Sequence, residues 1–509
     1  SQGARRLLLR RAKVKRIINL SDLCFQLFDG AQRPTAFVLY QNNAKEGTPY
    51  RFEYWVPKAD LNLRLKRMMT LARPDRIRLR SDQVEQDPAV FKRRLWTRSP
   101  DEKLLQFLTI VPALGELIRE YRTLRDGEFD RASTWAIGQG FQPAQTHRIG
   151  HPGYRTTTSN FVTQYPYLAA DAFCPVALPK VTTKPWKSKT VRRAGFAEGF
   201  QGPHILIPQG IERAKPRVRA AYTEQSLVFE DSLQAIAFPP TRRKTAKLLT
   251  AVLNSSLAAW FYFHDTANFG ADRAKVHQND LLKLPFATPK EMPEPKRAAL
   301  AAEKIVRLID REIRHAENVL RQQGDALNDI DKLVYEYYGL DERDIALIED
   351  TFKYIIPAMQ PRRSAGLQPI WDSSRLEHRT AYAAMLCDAL KPWFRKPVSA
   401  SLSAKSADIA VLRLTLVDSG QHAYTEHDST GFETFLQQIS AHMPVSLPGN
   451  VQLVPDLRFT IGRDMYLVKP MQLRHWLRSA ALADAEQIAA EFSATVAREV
   501  EHDGRHASG

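Results

Sequence analysis

Between Gly270 and Asp280 the chain reads GADRAKVHQND, which sets Arg273, Lys275, His277, Gln278 and Asn279 within a few positions of one another. Arginine, asparagine and glutamine can make paired contacts to the edges of guanine and adenine, and neighbouring cations can neutralise flanking phosphates. Taken alone, such a string is also the composition of a solvated loop. Two basic runs raise the same pair of readings. KVTTKPWKSKTVRRAGF (180–196) interleaves Lys184, Lys187, Lys189, Arg192 and Arg193 with Trp186, and TRRKTAK (241–247) carries Arg242 and Arg243. Runs of this kind are usually solvated faces. A third candidate is aromatic: Phe25 and Phe28 lie between two β-branched runs in INLSDLCFQLFDGAQRPTAFVLY (18–40). Aromatics placed there are most simply core residues of a strand–turn unit.

Other chemistries find less support. Cys24, Cys174 and Cys387 are scattered, and His315, His378 and His475 show no ligand spacing, so no metal site is expected. Pro74-Asp75 and Pro100-Asp101, with Glu294-Pro295-Lys296, form a nuclease-like pattern whose long spacing is that of chance. There is no glycine-rich phosphate cradle.

The elements that must carry these residues follow from periodicity. Short strands are expected at 14–20, 35–40 and 51–56, and apolar spacing over 100–122 predicts a helix. From about residue 126 to 289 the chain is rich in Gly, Pro, Thr and aromatics, with strand-like runs at 204–208 and 226–230 and one embedded helix, 245–264. An amphipathic helix is expected over 293–323, a second ending at Gly339, and a third N-capped by Asp341 with Asp344 three residues on. The last part reads as α+β: helix 379–394, strands 409–417, 451–454 and 456–461 with 465–469 pairing to them, and an alanine-rich helix 480–500. The division expected is 1–125, 126–290, 291–360 and 366–509, a multidomain α/β and α+β protein.

With 509 residues and a formal charge of +17, the chain is long enough for several cores and favours a polyanionic partner. No apolar run is long enough to span a bilayer, and a cytoplasmic location with no membrane partner is expected.

On 18–40, the chain resembles the late catalytic segment of adenine-specific DNA methyltransferases of the type I and type IIG kinds. LLTAVLNSSLAAWFYFHDTANFGADRAKVHQNDLLKLPF (248–286), WAIGQGFQP (135–143) and PHILIPQGIER (203–213) are similar to their target-recognition domain, and DIDKLVYEYYGLDERD (329–344) to the helical stretch after it. The resemblance implies the end of a Rossmann-like methyltransferase sheet in residues 1–125. It also implies a β-rich recognition domain in 126–290 bound to double-stranded DNA, and stacking of Phe28, or else Phe25, on the extruded adenine. It implies S-adenosylmethionine for the complete enzyme. The glycine-containing loop and Asn-Pro-Pro-Tyr that such enzymes need are absent here and would lie upstream of residue 14. The chain is therefore expected to bind no cofactor and to be inactive alone, its N-terminal catalytic half being removed or separately encoded. The alternative is a non-catalytic specificity subunit that binds DNA and recruits other defence proteins. The role of 366–509 is not legible.

Overall fold

The structure, a computed structural model, describes residues 2–27, 33–42, 48–87, 89–125, 128–212, 215–272, 274–317, 324–394, 396–417, 424–426, 434, 435, 437, 441 and 457–506. It falls into two compact units, Ser1–Lys103 with Lys353–Gly509, and Leu104–Phe352. The architecture is mixed α/β with several open sheets.

The first unit begins with a four-stranded sheet in which the three expected strands appear. Strand β1 (Ala12–Asn19) lies antiparallel to β2 (Ala36–Asn42) and parallel to β3 (Arg51–Trp55), which pairs antiparallel with β4 (Arg76–Arg80). Val14 and Ile17 turn inward from β1, and Tyr54 on β3 is fully buried. The buried phenol is satisfied on both sides, accepting from Asn19 Nδ2 and donating to the Phe91 carbonyl, each at 2.7 Å. After β1 the chain turns at Asp22, whose carboxylate accepts from the Ala59 amide at 2.8 Å and the Gln360 amide at 2.6 Å. The indole of Trp371 donates to the Ala59 carbonyl at 3.0 Å. These bonds stitch the early and late segments of this unit together, because buried polar groups must find partners.

Where one helix is expected over 100–122, two short ones form, Ser99–Leu108 and Leu114–Leu117. Pro112, with no N–H to donate, separates them. Beyond it, Leu114 and Gly115 donate to the Leu284 and Leu282 carbonyls at 2.8 Å each, and Phe286 donates back to the Pro112 carbonyl at 2.8 Å.

The second unit is built on strands β5 (Arg119–Glu120), β6 (Ala136–Gln139), β7 (Gln142–Pro143), β8 (Thr157–Thr158), β9 (Val176–Ala177), β10 (Thr190–Arg193), β11 (His204–Pro208), β12 (Ala221–Thr223) and β13 (Leu233–Ala237). Six of them make one sheet in the order β5-β6-β13-β11-β12-β9, and three make a small antiparallel one, β7-β10-β8. The run 204–208 is β11 as expected. By contrast, 226–230 makes only isolated bridges from Val228 to Tyr167 and from Glu230 to Phe141.

The helix expected over 245–264 is two, Arg243–Asn254 and Ser256–Asp265, divided at Ser255, whose side chain caps the second by accepting from the Ala258 amide at 3.2 Å. From Leu248 to His264 every residue is buried. A helix apolar on all sides is core, not a probe of a groove. Asp331 of a later helix, Gly324–Tyr338, is tied to this pair and to Arg217. Arg217 forks onto Asp331 at 2.8 and 2.6 Å and also donates to the Asn254 carbonyl at 2.8 Å, while the Ser256 amide donates to Asp331 at 2.7 Å. The amphipathic helix Pro295–Glu317 buries Ala298, Ile305 and Ile309. Asp341 caps the helix Glu342–Asp350 as its position predicts, accepting from the Arg343 and Asp344 amides at 2.9 Å.

The C-terminal part of the first unit is α+β. Helix Leu376–Leu390 precedes an antiparallel sheet of β14 (Val398–Lys405), β15 (Ile409–Leu416), β16 (Arg458–Ile461) and β17 (Asp464–Pro470), in the order β14-β15-β17-β16, and helix Arg478–His506 follows. Gly462 adopts φ +60° in the turn joining β16 to β17, where a side chain would be strained. The strand expected at 451–454 lies outside the described residues. No described helix is long and apolar enough to cross a membrane.

Candidate nucleic-acid interface

The basic run 180–196 is organised by its apolar members. Val191 points into the core beside Phe141, Phe200 and Phe229, which fixes β10 as the middle strand of the small sheet and leaves Thr190 and Arg193 outward. Trp186 packs on Phe141 and Tyr167, with ring centroids 5.2 and 5.1 Å away, so the lysines on either side face water. Lys184, Lys187 and Lys189 are exposed. The end of β10 is locked by backbone contact: Gly195, at φ +79°, lies so close to Gly140 that an added Cβ would sit 2.6 Å from its carbonyl.

Pairing of β8 with β10 brings the loop 144–160 to the same place, and this loop carries residues that sequence reasoning passed over. The Tyr154 ring is buried, its hydroxyl accepts from the Gln145 amide at 2.7 Å, and two guanidinium groups lie over its faces: Arg192 at 4.5 Å and Arg148 at 5.1 Å. His147, Arg148, His151 and Arg155 are exposed. The missed signal was an absence of acid. From Arg131 to Ala197 there are nine lysines and arginines and a single carboxylate, Asp171. Among the described residues, Arg148, Arg155, Lys184, Lys187 and Lys189 have no carboxylate within ion-pair reach. Arg193 is the exception, held by Gln142 Oε1 at 2.9 Å and Asp231 at 3.6 Å. Arg192 Nη1 is shielded from water and has no acceptor among the described residues. An array of cations without counter-charges is suited to bind a polyanion.

The segment after the buried helix pair is arranged differently from its expected role as an exposed polar reader. Its backbone pairs with 209–211: Ile211 donates to the Ala274 carbonyl at 2.8 Å and Val276 to the Gln209 carbonyl at 3.2 Å. That pairing half-buries Lys275 and seats Gln278 inside the fold at the start of helix Gln278–Leu281, while His277 and Asn279 remain exposed. Asn279 Oδ1 accepts from Arg122 at 3.2 Å. Of the two arginines at 241–247, Arg242 is exposed, and Arg243 is spent on Glu224 at 3.0 Å and the Pro240 carbonyl at 2.7 Å. Arg273 and Phe28 lie outside the described residues. Phe25 is half-buried with Arg362 over its ring at 5.9 Å.

The nuclease-like pattern does not assemble as a metal site. Asp75 is buried and paired with Lys58 and Arg474 at 3.6 Å each, and Asp101 accepts from the Arg98 amide at 2.9 Å. Among the described residues no three His, Cys, Asp or Glu side chains lie together as a metal-binding group.

No family model matches the chain, and neither does any curated protein. Among solved structures it is similar to the type IIL restriction-modification enzyme MmeI in complex with DNA, at 11% identity and a TM-score of 0.32 over 66% of this chain and 45% of that one. It is similar also to the type IIG restriction endonuclease BpuSI, at 11% identity and a TM-score of 0.24 over the same shares. A third similarity is to the HsdS subunit from Thermoanaerobacter tengcongensis, at 13% identity and a TM-score of 0.19 over 50% of this chain and 52% of that one. The chain thus spans less than half the length of the first two. Likenesses this loose transfer neither a residue nor an activity.

Proposed function

We propose that residues 104–352 bind double-stranded DNA and select its sequence, as the recognition part of an S-adenosylmethionine-dependent, adenine-specific methyltransferase of a restriction-modification or phage-defence system. The observation that carries the DNA reading is the acid-poor stretch 131–197, whose small sheet and Tyr154 loop gather cations that nothing else in the described fold neutralises. Lys184, Lys187, Lys189, Arg148 and Arg155 meet phosphates in this reading. His147, His151, His277 and Asn279, exposed beside them in sequence or on the neighbouring segment, supply base-edge contacts. Arg192 and Arg148 are pre-oriented by the Tyr154 ring, which lowers the ordering cost of binding. The methyltransferase assignment rests on the sequence resemblance, with Phe28 as the proposed stacking aromatic.

The residues present do not fit the cofactor. They contain neither a glycine-rich phosphate cradle nor Asn-Pro-Pro-Tyr, and the buried carboxylate in the turn after β1, Asp22, is committed to the Ala59 and Gln360 amides. In this reading the cofactor is held elsewhere, and no step of the chemistry is assigned to these residues. That misfit equally favours a second reading, a specificity subunit that binds DNA and recruits other defence proteins.

The test is duplex binding across a salt titration. Five phosphates neutralised predict a slope of about −4.5 in log K against log salt, with residual preference for some sequences over competitor. Binding that is absent, or indifferent to salt and sequence, removes the proposal.

A further inference from the structure

The first unit holds a cavity that the DNA reading does not use. Its volume is about 830 Å³, the size of a small-molecule site. Helix Leu61–Lys66 and the chain on to Arg76 form one wall. The turn joining β14 to β15, with the end of β17 and the residues after it, forms the other. Arg73, Arg474 and His475 line this cavity and also a recess of about 20 Å³, which Arg98, Arg458 and Lys469 share. Most of these cations have partners: Arg474 pairs with Asp75 at 3.6 Å, Arg458 with Asp484 at 2.9 Å, Lys469 with Asp484 at 2.5 Å, and Arg73 with Glu491. Lys58 shares Asp75 at 3.6 Å, and Asp22 faces both Lys58 and Arg474. Within this cluster six cations still meet only four carboxylates, and Arg98 has no carboxylate within ion-pair reach among the described residues.

His475 completes the cluster. No described residue hydrogen-bonds its ring, and burial, then Arg474, Lys469 and Arg98, pushes its pKa down, so the ring is neutral and can donate a hydrogen bond. A surplus of cations beside such a donor is suited to an anionic group. The remaining walls narrow the class of ligand. Leu61, Leu71, Ile409 and Met471 offer apolar surface to a flat ring. The Asp408 carboxylate and the Gln472 amide line the same space, and neither side chain bonds another described residue. A carboxylate and an amide can bond sugar hydroxyls and the edges of a base, whereas an alkyl chain would leave both unsatisfied. We propose that this cavity binds a nucleotide. Its phosphate meets Arg73, Arg474 and His475, its sugar and base edge meet Asp408 and Gln472, and its ring lies against the aliphatic side chains. This site belongs to the other unit from the DNA surface, and either reading can fail alone.

The full chain is titrated calorimetrically with AMP, GMP, CMP and UMP, and separately with the matching nucleosides, inorganic phosphate and decanoate. The tightest nucleotide is expected to bind with a Kd below about 0.1 mM, and its nucleoside, phosphate and decanoate at least about tenfold more weakly. Excess duplex DNA should change that Kd by less than about twofold, since the phosphates of DNA would occupy a different surface. Arg98→Gln should weaken the nucleotide at least about fivefold while the urea midpoint holds or rises, because the charge removed is one the fold does not neutralise. Asp408→Ala with Gln472→Leu should weaken the nucleotide at least about tenfold and leave phosphate binding unchanged. Four outcomes overturn the proposal: no nucleotide binding at ~1 mM, phosphate binding as tightly as any nucleotide, decanoate doing the same, or displacement of the nucleotide by duplex DNA.

Discussion

Arg217 and Arg192 lie in the same compact unit, and each has its guanidinium 4.5 Å from the centre of an aromatic ring, Phe352 for the first and Tyr154 for the second. Beyond the ring they part. Arg217 is buried and forks onto Asp331, which also holds the Ser256 amide, so its charge is used up inside the fold. Among the described residues Arg192 has no carboxylate partner, and it belongs to a stretch with almost none. A stacked guanidinium is therefore not diagnostic by itself. The counter-charge separates a cation that ties elements together from one kept for an outside anion.

The sharpest way to break this contrast is to remove each guanidinium in turn. Arg217→Met leaves Asp331 charged and largely buried, and should cost about 3–5 kcal/mol by urea unfolding. Arg192→Met removes one cation from a surplus and keeps apolar contact with Tyr154, so it should cost under about 1 kcal/mol. Equal losses would show that the Tyr154 stack is as structural as the Asp331 fork.

His204 sharpens the comparison from the other side. It sits on β11 with no exposed surface, its Nδ1 2.5 Å from the Gly199 carbonyl, and burial pulls its pKa down to about 4. The interior thus refuses a proton where no carboxylate hydrogen-bonds the ring. Unfolding returns this histidine to about 6.5. Between those values the unfolded chain binds a proton that the folded one does not, and stability falls as pH drops through the window. The expected loss from pH 7 to pH 5 is about 2 kcal/mol. His204→Gln should flatten that part of the pH profile whatever it costs at pH 7, and an unchanged slope would place the titration elsewhere.

Much of the scaffold was legible in the sequence because it rests on local rules. Asp341 and Asp344 formed their cap where spacing put them, and the turn at Gly462 joined strands that alternation predicted. Legibility failed where a residue's environment is set by distant segments. The polarity of GADRAKVHQND suggested exposure, yet pairing with 209–211 draws Lys275 and Gln278 inward. Pro112 and Ser255 each divided a helix that periodicity alone ran together. The Tyr154 loop was passed over because its cations are spread thinly along the chain, and only the pairing of β8 with β10 gathers them. A count of acids, rather than of bases, was the signal in the sequence that would have found it.

The smallest effect discriminates best between the two regions that sequence reasoning assigned to DNA. Lys187→Ala with Lys189→Ala removes two exposed, unpaired charges beside β10, and should lower duplex affinity about tenfold at moderate salt while making the salt slope shallower by about 2. Because neither lysine touches a base in this reading, the loss should be uniform across sequences. Asn279→Ala should leave the salt slope alone, since an amide neutralises no phosphate, and change only the ranking of sequences. If instead the lysine pair alters the ranking and Asn279 changes nothing, base reading belongs to the small sheet and its loop, and the segment after the buried helices is scaffold throughout.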